Sequence, residues 1–236
     1  MSMSVPIQIC FQGGGGFYNY YFGIACYIQE NYNLDEIIFS GVSAGSWPAL
    51  FLAAKINIRE NYFKLNEKII KDTSKKKILK TPFRWNKCIE RQCKKYFDES
   101  LLDHIDSNLF VSLTEKHKFL KFRNVLIDNF NSKDELIDTC SASTHIIVYN
   151  NVGLFKKIKK KKYLDGGFSK TYPFPYGKKL SNTISINTNW YSEKFLKKIR
   201  NFPPQLNLKR CEYLFYKGYK DAANNNSHFS LLTKLS

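Results

Sequence analysis

Short apolar runs closed by glycine or by polar clusters dominate the first quarter of the chain, and lysine-rich amphipathic stretches follow. Ile7-Gln8-Ile9-Cys10-Phe11 reads as a buried strand. Four glycines lead from it into Tyr20–Ile28, an apolar stretch that predicts a helix ending near Asn31. Ile37–Ser40 is a second short strand, and Ser46–Ala54 a second apolar helix whose Pro48 falls in the first turn, where proline is tolerated. Between Asn61 and Lys80, Phe63, Leu65, Ile69, Ile70 and Ile78 recur at near-helical spacing among lysines, and Arg84–Tyr96 predicts another short helix. Leu109–Leu113 and Phe119–Ile127 read as strands around a charged turn. Ser132-x-x-Glu135 is a capping box that starts a helix at Lys133 and carries it to about Ser141. Ser181–Thr188 alternates as a strand, Leu208 to about Asn224 predicts a helix, and the polar tail beyond it is expected to fray. No repeat or linker interrupts the 236 residues, so one domain over 1–236 is expected.

Glycine placement adds chemistry to this pattern. Nine of the twelve glycines fall in Gly13–Gly16 with Gly23, in Gly41 and Gly45, and in Gly166–Gly167. Such concentration marks backbone sites that need positive φ or close approach. At the first, a strand, a glycine loop and a helix N-terminus point free N–H groups at an anion, either a phosphate or a transient oxyanion. No Gly-Lys-Ser/Thr ending makes it a P-loop, and Ser40-Gly41 stand where a dinucleotide fingerprint would place an acid. At the second, Gly41-Val42-Ser43-Ala44-Gly45 is a GxSxG elbow set between a buried strand and an apolar helix. The turn lifts the Ser43 hydroxyl into the open at the positive end of a helix dipole. At the third, Asp165-Gly166-Gly167 follows an extended stretch. Beside an elbow serine, Asp165 is the acidic residue in a special backbone position that can serve as its base.

In this order the three elements resemble the patatin-like phospholipase family, over about Ile7 to Pro175, with 176–236 as a C-terminal extension. Leu136–Ser143 is similar to the helix that the family sets before its aspartate segment. The resemblance implies a three-layer α/β/α fold around a mostly parallel sheet and a Ser–Asp dyad without histidine. It implies hydrolysis of acyl esters of phospholipids or other lipids, with no cofactor. Carried over by position, Ser43 is the nucleophile, Asp165 the base, and Gly13, Gly14 and Gly15 supply oxyanion N–H groups, with Ala44 a further donor. Two positions depart from the family pattern. Phe17 and Tyr18 replace a cation and a glycine after the oxyanion loop, and Thr171-Tyr172-Pro173 replaces Asn-x-Pro.

Charge then points to partners. Lys+Arg number 37 against 20 Asp+Glu, a formal charge of +17, which favours anionic surfaces. Lys156–Lys162 carries six lysines directly upstream of Asp165, either as a solvated edge hairpin or as a basic patch facing headgroups, with Lys159, Lys160, Lys161 and Lys162 as its candidates. An anionic membrane surface is therefore the expected partner beside the lipid substrate; with no RNA-binding aromatic motif, nucleic acid is not expected. Tyr18, Tyr20, Tyr21, Phe22, Tyr172 and Phe174 either contact acyl chains or belong to the core. The six cysteines form no CxxC pair and read as reduced thiols. The four scattered histidines make no metal cluster, and His145 is expected to pack near the end of the preceding helix. Met1–Phe11 lacks the features of a signal peptide, and no apolar stretch is long enough to span a bilayer, so a cytoplasmic, peripherally membrane-associated protein is expected. Two other readings stand beside the leading one. An ordinary α/β-hydrolase would use Ser43, Asp165 and His228, and a hydrolase-fold module of weak or lost turnover would bind anionic lipid or nucleic acid.

Overall fold

The computed structural model describes residues 6–74, 85–105, 107–118, 121–146, 153–170, 172–190 and 208–235. Phe119, Thr171, Arg84 and the Ile78 end of the lysine-rich helix lie outside them.

The two apolar runs near the N-terminus become adjacent parallel strands, β1 (Gln8–Phe11) and β2 (Ile38–Val42), linked by helix α1 (Tyr18–Asn31). Helix α1 starts two residues earlier than the apolar pattern implies, and Tyr18, Tyr20, Tyr21 and Phe22 are all buried; these aromatics are core. After β2 come α2 (Ser46–Ala53), buried throughout, then α3 (Ile58–Ser74) and α4 (Trp85–Tyr96). β3 (Leu109–Lys118) pairs in parallel with β2 and turns back as antiparallel β4 (Lys121–Ile127). Ten residues long, β3 runs well beyond the apolar segment Leu109–Leu113, because its distal half is a polar ladder held by cross-strand partners. The capping box is met at its first half. Ser132 Oγ accepts from the Glu135 N–H at 3.1 Å and opens α5 (Lys133–Ser143), while the Glu135 carboxylate accepts from Asn131 instead of Ser132. β5 (Lys156–Ile158) and β6 (Lys161–Asp165) form a hairpin, and β7 (Thr183–Ile186) closes the far edge in parallel against β1.

The result is a mixed seven-stranded sheet flanked by helices, the α/β/α arrangement, with β7-β1-β2-β3 parallel at its centre. Strand β3 organises the rest. Its residues Val111 to Lys118 pair with β4 along one edge. Along its other edge β2 occupies Leu109–Ser112 and β6 occupies Leu113–Glu115. Strands β2 and β6 therefore meet end to end from opposite directions, with Val42 opposite Ser112 and Asp165 opposite Leu113. Beyond that junction β3, β4, β5 and β6 continue as an antiparallel extension whose two turns rise past the carboxyl ends of β1 and β2.

Helix α6 (Leu208–Asn224) lies directly on α1. A Cβ on Gly218 would sit 2.1 Å from the Tyr20 carbonyl oxygen, so only glycine permits that helix contact. The tail after α6 does not fray. Phe229 is fully buried, Asn33 donates its N–H to the Thr233 carbonyl at 2.8 Å, and Leu235 donates to Asn31 at 3.0 Å. An apolar anchor inside a polar segment, together with backbone bonds to the end of α1, overrides the tail's composition.

Candidate active site

Strand β2 ends at Val42, and the chain reverses at once through a tight turn over Ser43–Gly45 into α2. Ser43 has φ 55°, the left-handed region that a non-glycine residue occupies at a cost of about 1–3 kcal/mol, and it is buried against Asp165 instead of lifted into the open. Gly41 and Gly45 make the turn sterically possible. A Cβ on Gly41 would lie 2.4 Å from the Gly45 carbonyl oxygen, and one on Gly45 would lie 2.6 Å from that of Phe11. The elbow thus packs backbone against backbone on the end of β1, where the glycine loop begins.

Three hydroxyl contacts hold the turn. The Ser43 N–H donates to Ser143 Oγ at 2.8 Å, and Ser143 Oγ donates to the Ser112 carbonyl at 2.7 Å. Ser46 Oγ donates to the Ser43 carbonyl at 2.7 Å. Ser143, at the end of α5, therefore ties the elbow to β3, the strand against which Asp165 is paired. Sequence reasoning gave Ser143 no role; the signal available was the set of small hydroxyl residues Thr139, Ser141, Ser143 and Thr144 at the end of the helix.

Asp165 ends β6 at the junction described above. Its backbone is clamped on both sides: its N–H donates to the His145 carbonyl at 3.0 Å, and its carbonyl accepts from Thr114 Oγ1 at 2.8 Å. Ser43 Oγ donates to Asp165 Oδ2 at 2.6 Å, and the Gly167 N–H donates to Oδ1 at 2.8 Å. Asp165 is only 4% exposed, and this burial pushes its pKa up from 3.8 to about 6, against the pull of those two hydrogen bonds. The pair is a serine hydroxyl bonded directly to a carboxylate that is charged at neutral pH yet close to its titration point.

The glycine loop runs alongside. Gly15 has φ +51°, and a short turn over Gly15–Phe17 leads into α1. The N–H groups of Gly13, Gly14 and Gly15 donate to no acceptor among the described residues, so they remain available to a ligand oxygen. Ala44 follows Ser43 in the elbow turn, at the N-terminal side of α2.

The other candidates fall elsewhere. His228 Nε2 lies 3.1 Å from the Ser185 carbonyl, with its ring edge-on to Trp190 at 5.2 Å, and makes no contact with Ser43 or Asp165. His145 is buried at the end of α5, as expected, where its ring meets the Gly153 carbonyl at 3.2 Å. Tyr172 is exposed and stacks on Phe174 at 5.5 Å. The lysine run forms the β5–β6 edge hairpin, and part of it is neutralised internally. Lys156 pairs with Glu90 at 2.6 Å and Asp138 at 3.0 Å, Lys159 with Glu135 at 2.6 Å, and Lys161 with Glu115 at 3.5 Å. Lys160 and Lys162 form no ion pair among the described residues. No described helix is long and apolar enough to cross a membrane.

Residues 9–177 match the family model of the patatin-like phospholipases. A human patatin-like phospholipase domain-containing protein 2 is 32% identical over 188 residues, which cover 76% of this chain and 35% of that protein. The chain thus spans about a third of the length of the human relative. The family match takes in β1, the glycine loop, the elbow and the Asp165 segment together, and on it the chain belongs to the patatin-like phospholipase family.

Proposed function

We propose that this protein is a serine lipid acyl hydrolase in which Ser43 is the nucleophile and Asp165 its general base. The observation that carries this reading is the 2.6 Å hydrogen bond from Ser43 Oγ to a buried carboxylate with no histidine between them. Asp165 Oδ2 takes the hydroxyl proton as Ser43 Oγ attacks the ester carbonyl. The tetrahedral oxyanion is received by the N–H groups of Gly13, Gly14 and Gly15, with that of Ala44 beside the nucleophile. Each such donor is worth about 3–4 kcal/mol in the transition state. The leaving alcohol departs with the proton returned by Asp165, leaving an acyl-Ser43 ester. Water then attacks that ester as Asp165 removes its proton, and the fatty acid leaves with Ser43 Oγ reprotonated. A raised carboxylate pKa suits this work, because a base near neutrality is mostly charged yet accepts a proton readily.

Substrates are acyl lipids, in keeping with the family, and the enzyme works at the membrane periphery. Labelling with a fluorophosphonate probe tests the nucleophile: Ser43→Ala abolishes both labelling and ester hydrolysis while the thermal melt stays nearly unchanged. Retained hydrolysis in that variant refutes the assignment. His228→Ala discriminates against a triad and leaves turnover intact; a dead His228→Ala enzyme would restore the ordinary hydrolase reading.

A further inference from the structure

The antiparallel extension beyond the Ser43–Asp165 junction has two faces of opposite character. Side chains alternate along a strand, so register sorts them. Glu115, paired with Tyr163, shares its face with Arg123, Lys161 and Lys156. This face looks toward α5 and α4. There Lys156 meets Asp138 and Glu90, and Glu115 accepts from Arg123 at 3.1 Å and pairs with Lys161. Lys159, in the turn, reaches Glu135 of α5. Every one of these cations has a carboxylate.

The opposite face carries Lys116, paired with Phe122, and Lys157, paired with Lys162. Phe155 belongs to it too: Lys116 Nζ sits 5.2 Å from the Phe155 ring centroid, and Phe122 stacks on Phe155 at 6.4 Å. Lys118, Lys121 and Lys160 stand at the two turns, all exposed. Among the described residues none of Lys116, Lys118, Lys121, Lys157, Lys160 and Lys162 forms an ion pair. Lys157 and Lys162 are directly cross-strand, a like-charge arrangement that destabilises a sheet unless something anionic covers it. One large apolar side chain stands exposed among these lysines, Phe122 at 47%, with the Phe155 ring stacked on it.

We infer that this outer face of the β4-β3-β6-β5 extension is a docking surface for an anionic lipid bilayer. Lysines would meet headgroups while Phe122 enters the interfacial layer; this rests on the lipid hydrolase reading above. Unpaired cations interleaved with exposed apolar groups fit a surface that is charged outside and apolar beneath. Position agrees as well. The extension rises about 17 Å past the level of Asp165, counting five residues of strand from Leu113 to Lys118. It stands at the end of the sheet where the Ser43 elbow lies, so docking would bring the bilayer to the catalytic end. Charge balance also divides the basic run. Lys159 pairs with Glu135 and Lys161 shares Glu115 with Arg123, whereas Lys160 and Lys162, joined by Lys116 and Lys157, have no ion-pair partner among the described residues.

The test is co-sedimentation with phosphatidylserine-containing vesicles and with pure phosphatidylcholine vesicles. A lysine beside an anionic surface contributes up to about fivefold in partitioning, so Lys116, Lys157, Lys160 and Lys162 replaced together by Gln should weaken binding by at least about tenfold and at most several hundredfold. Lys159→Gln with Lys161→Gln should change it little, since those charges are already paired. Lys157→Glu is a second variant that sets a carboxylate opposite Lys162. It should raise the melting temperature and still weaken vesicle binding, which separates docking from folding. Phe122→Ser should lower binding to both kinds of vesicle. Added salt should weaken wild-type binding to the anionic vesicles. Unchanged sedimentation of the fourfold variant overturns the proposal. So does an equal loss from the Lys159/Lys161 variant, which would show a mere net-charge effect. Wild-type binding to single-stranded RNA but to neither vesicle overturns it in favour of a nucleic-acid surface. Turnover of a short soluble ester by the wild-type chain needs no bilayer and reads the Ser43–Asp165 chemistry alone, so failed docking and failed chemistry are seen in different measurements.

Discussion

Replacing Asp165 by Asn should stabilise the fold at neutral pH while removing turnover, and the size of the gain follows from the site. Burial raises the carboxyl pKa from 3.8 to about 6 in the folded chain. Below about pH 3 both folded and unfolded states hold the proton, and the shift costs nothing. As pH rises from 4 toward 6 the unfolded state ionises first, so the folded state binds more protons and stability falls with pH. Above about pH 7 the loss is complete, about 3 kcal/mol for a shift of roughly two units. The substituted amide would carry no charge to desolvate, and its oxygen could still accept from the Gly167 N–H. The difference in unfolding free energy between Asp165→Asn and wild type should therefore grow by about 3 kcal/mol between pH 3 and pH 7.5, whatever its constant offset. For a chain of this size that is a relative gain of about 6–12 °C in melting temperature. Denaturant melts of both chains at the two pH values measure it, with the other titrating groups cancelling in the double difference. Wild-type kcat/KM should fall about tenfold per pH unit below 6 and level off above it, and Asp165→Asn should lose at least about a hundredfold. Identical pH dependence of stability in the two chains, or an activity limb near pH 4, would refute the reasoning.

Two further substitutions probe the supports of the site. Ser143→Ala removes the acceptor for the Ser43 N–H and the donor to Ser112, at a cost of about 1–3 kcal/mol. Because Ser143 acts through the elbow, kcat should fall with KM nearly unchanged, and Ser143→Thr should recover part of it; a shift in KM alone would remove Ser143 from this role. Phe229→Ala empties a fully buried site under the tail and should cost about 3–5 kcal/mol in denaturant melts. A loss below about 1 kcal/mol would mean that the tail frays after all.

What could be read from sequence was what local backbone demands dictate. A serine in a strained reversal between strand and helix needs glycine on both sides, so Gly41, Ser43 and Gly45 announce the elbow within five residues. The apolar runs of β1, α1, β2 and α2 gave the parallel α/β beginning for the same reason, since burial period is local. Asp165 was legible as a candidate base from its place before Gly166-Gly167, the family resemblance pointed to the same residue, and the structure sets it beside Ser43. What tertiary structure alone decided involves residues far apart in the chain. Ser43 and Asp165 are separated by 122 positions, and they meet because β3 pairs β2 with Ser112 and β6 with Leu113 on the same edge. Ser143 lies 100 positions from the N–H it receives. The six-lysine run looks uniform in sequence, yet strand alternation turns some of its lysines toward the carboxylates of α4, α5 and β3 and others toward solvent. Composition fixes how much charge a segment carries; only the placement of distant acids determines how much of that charge remains for a partner.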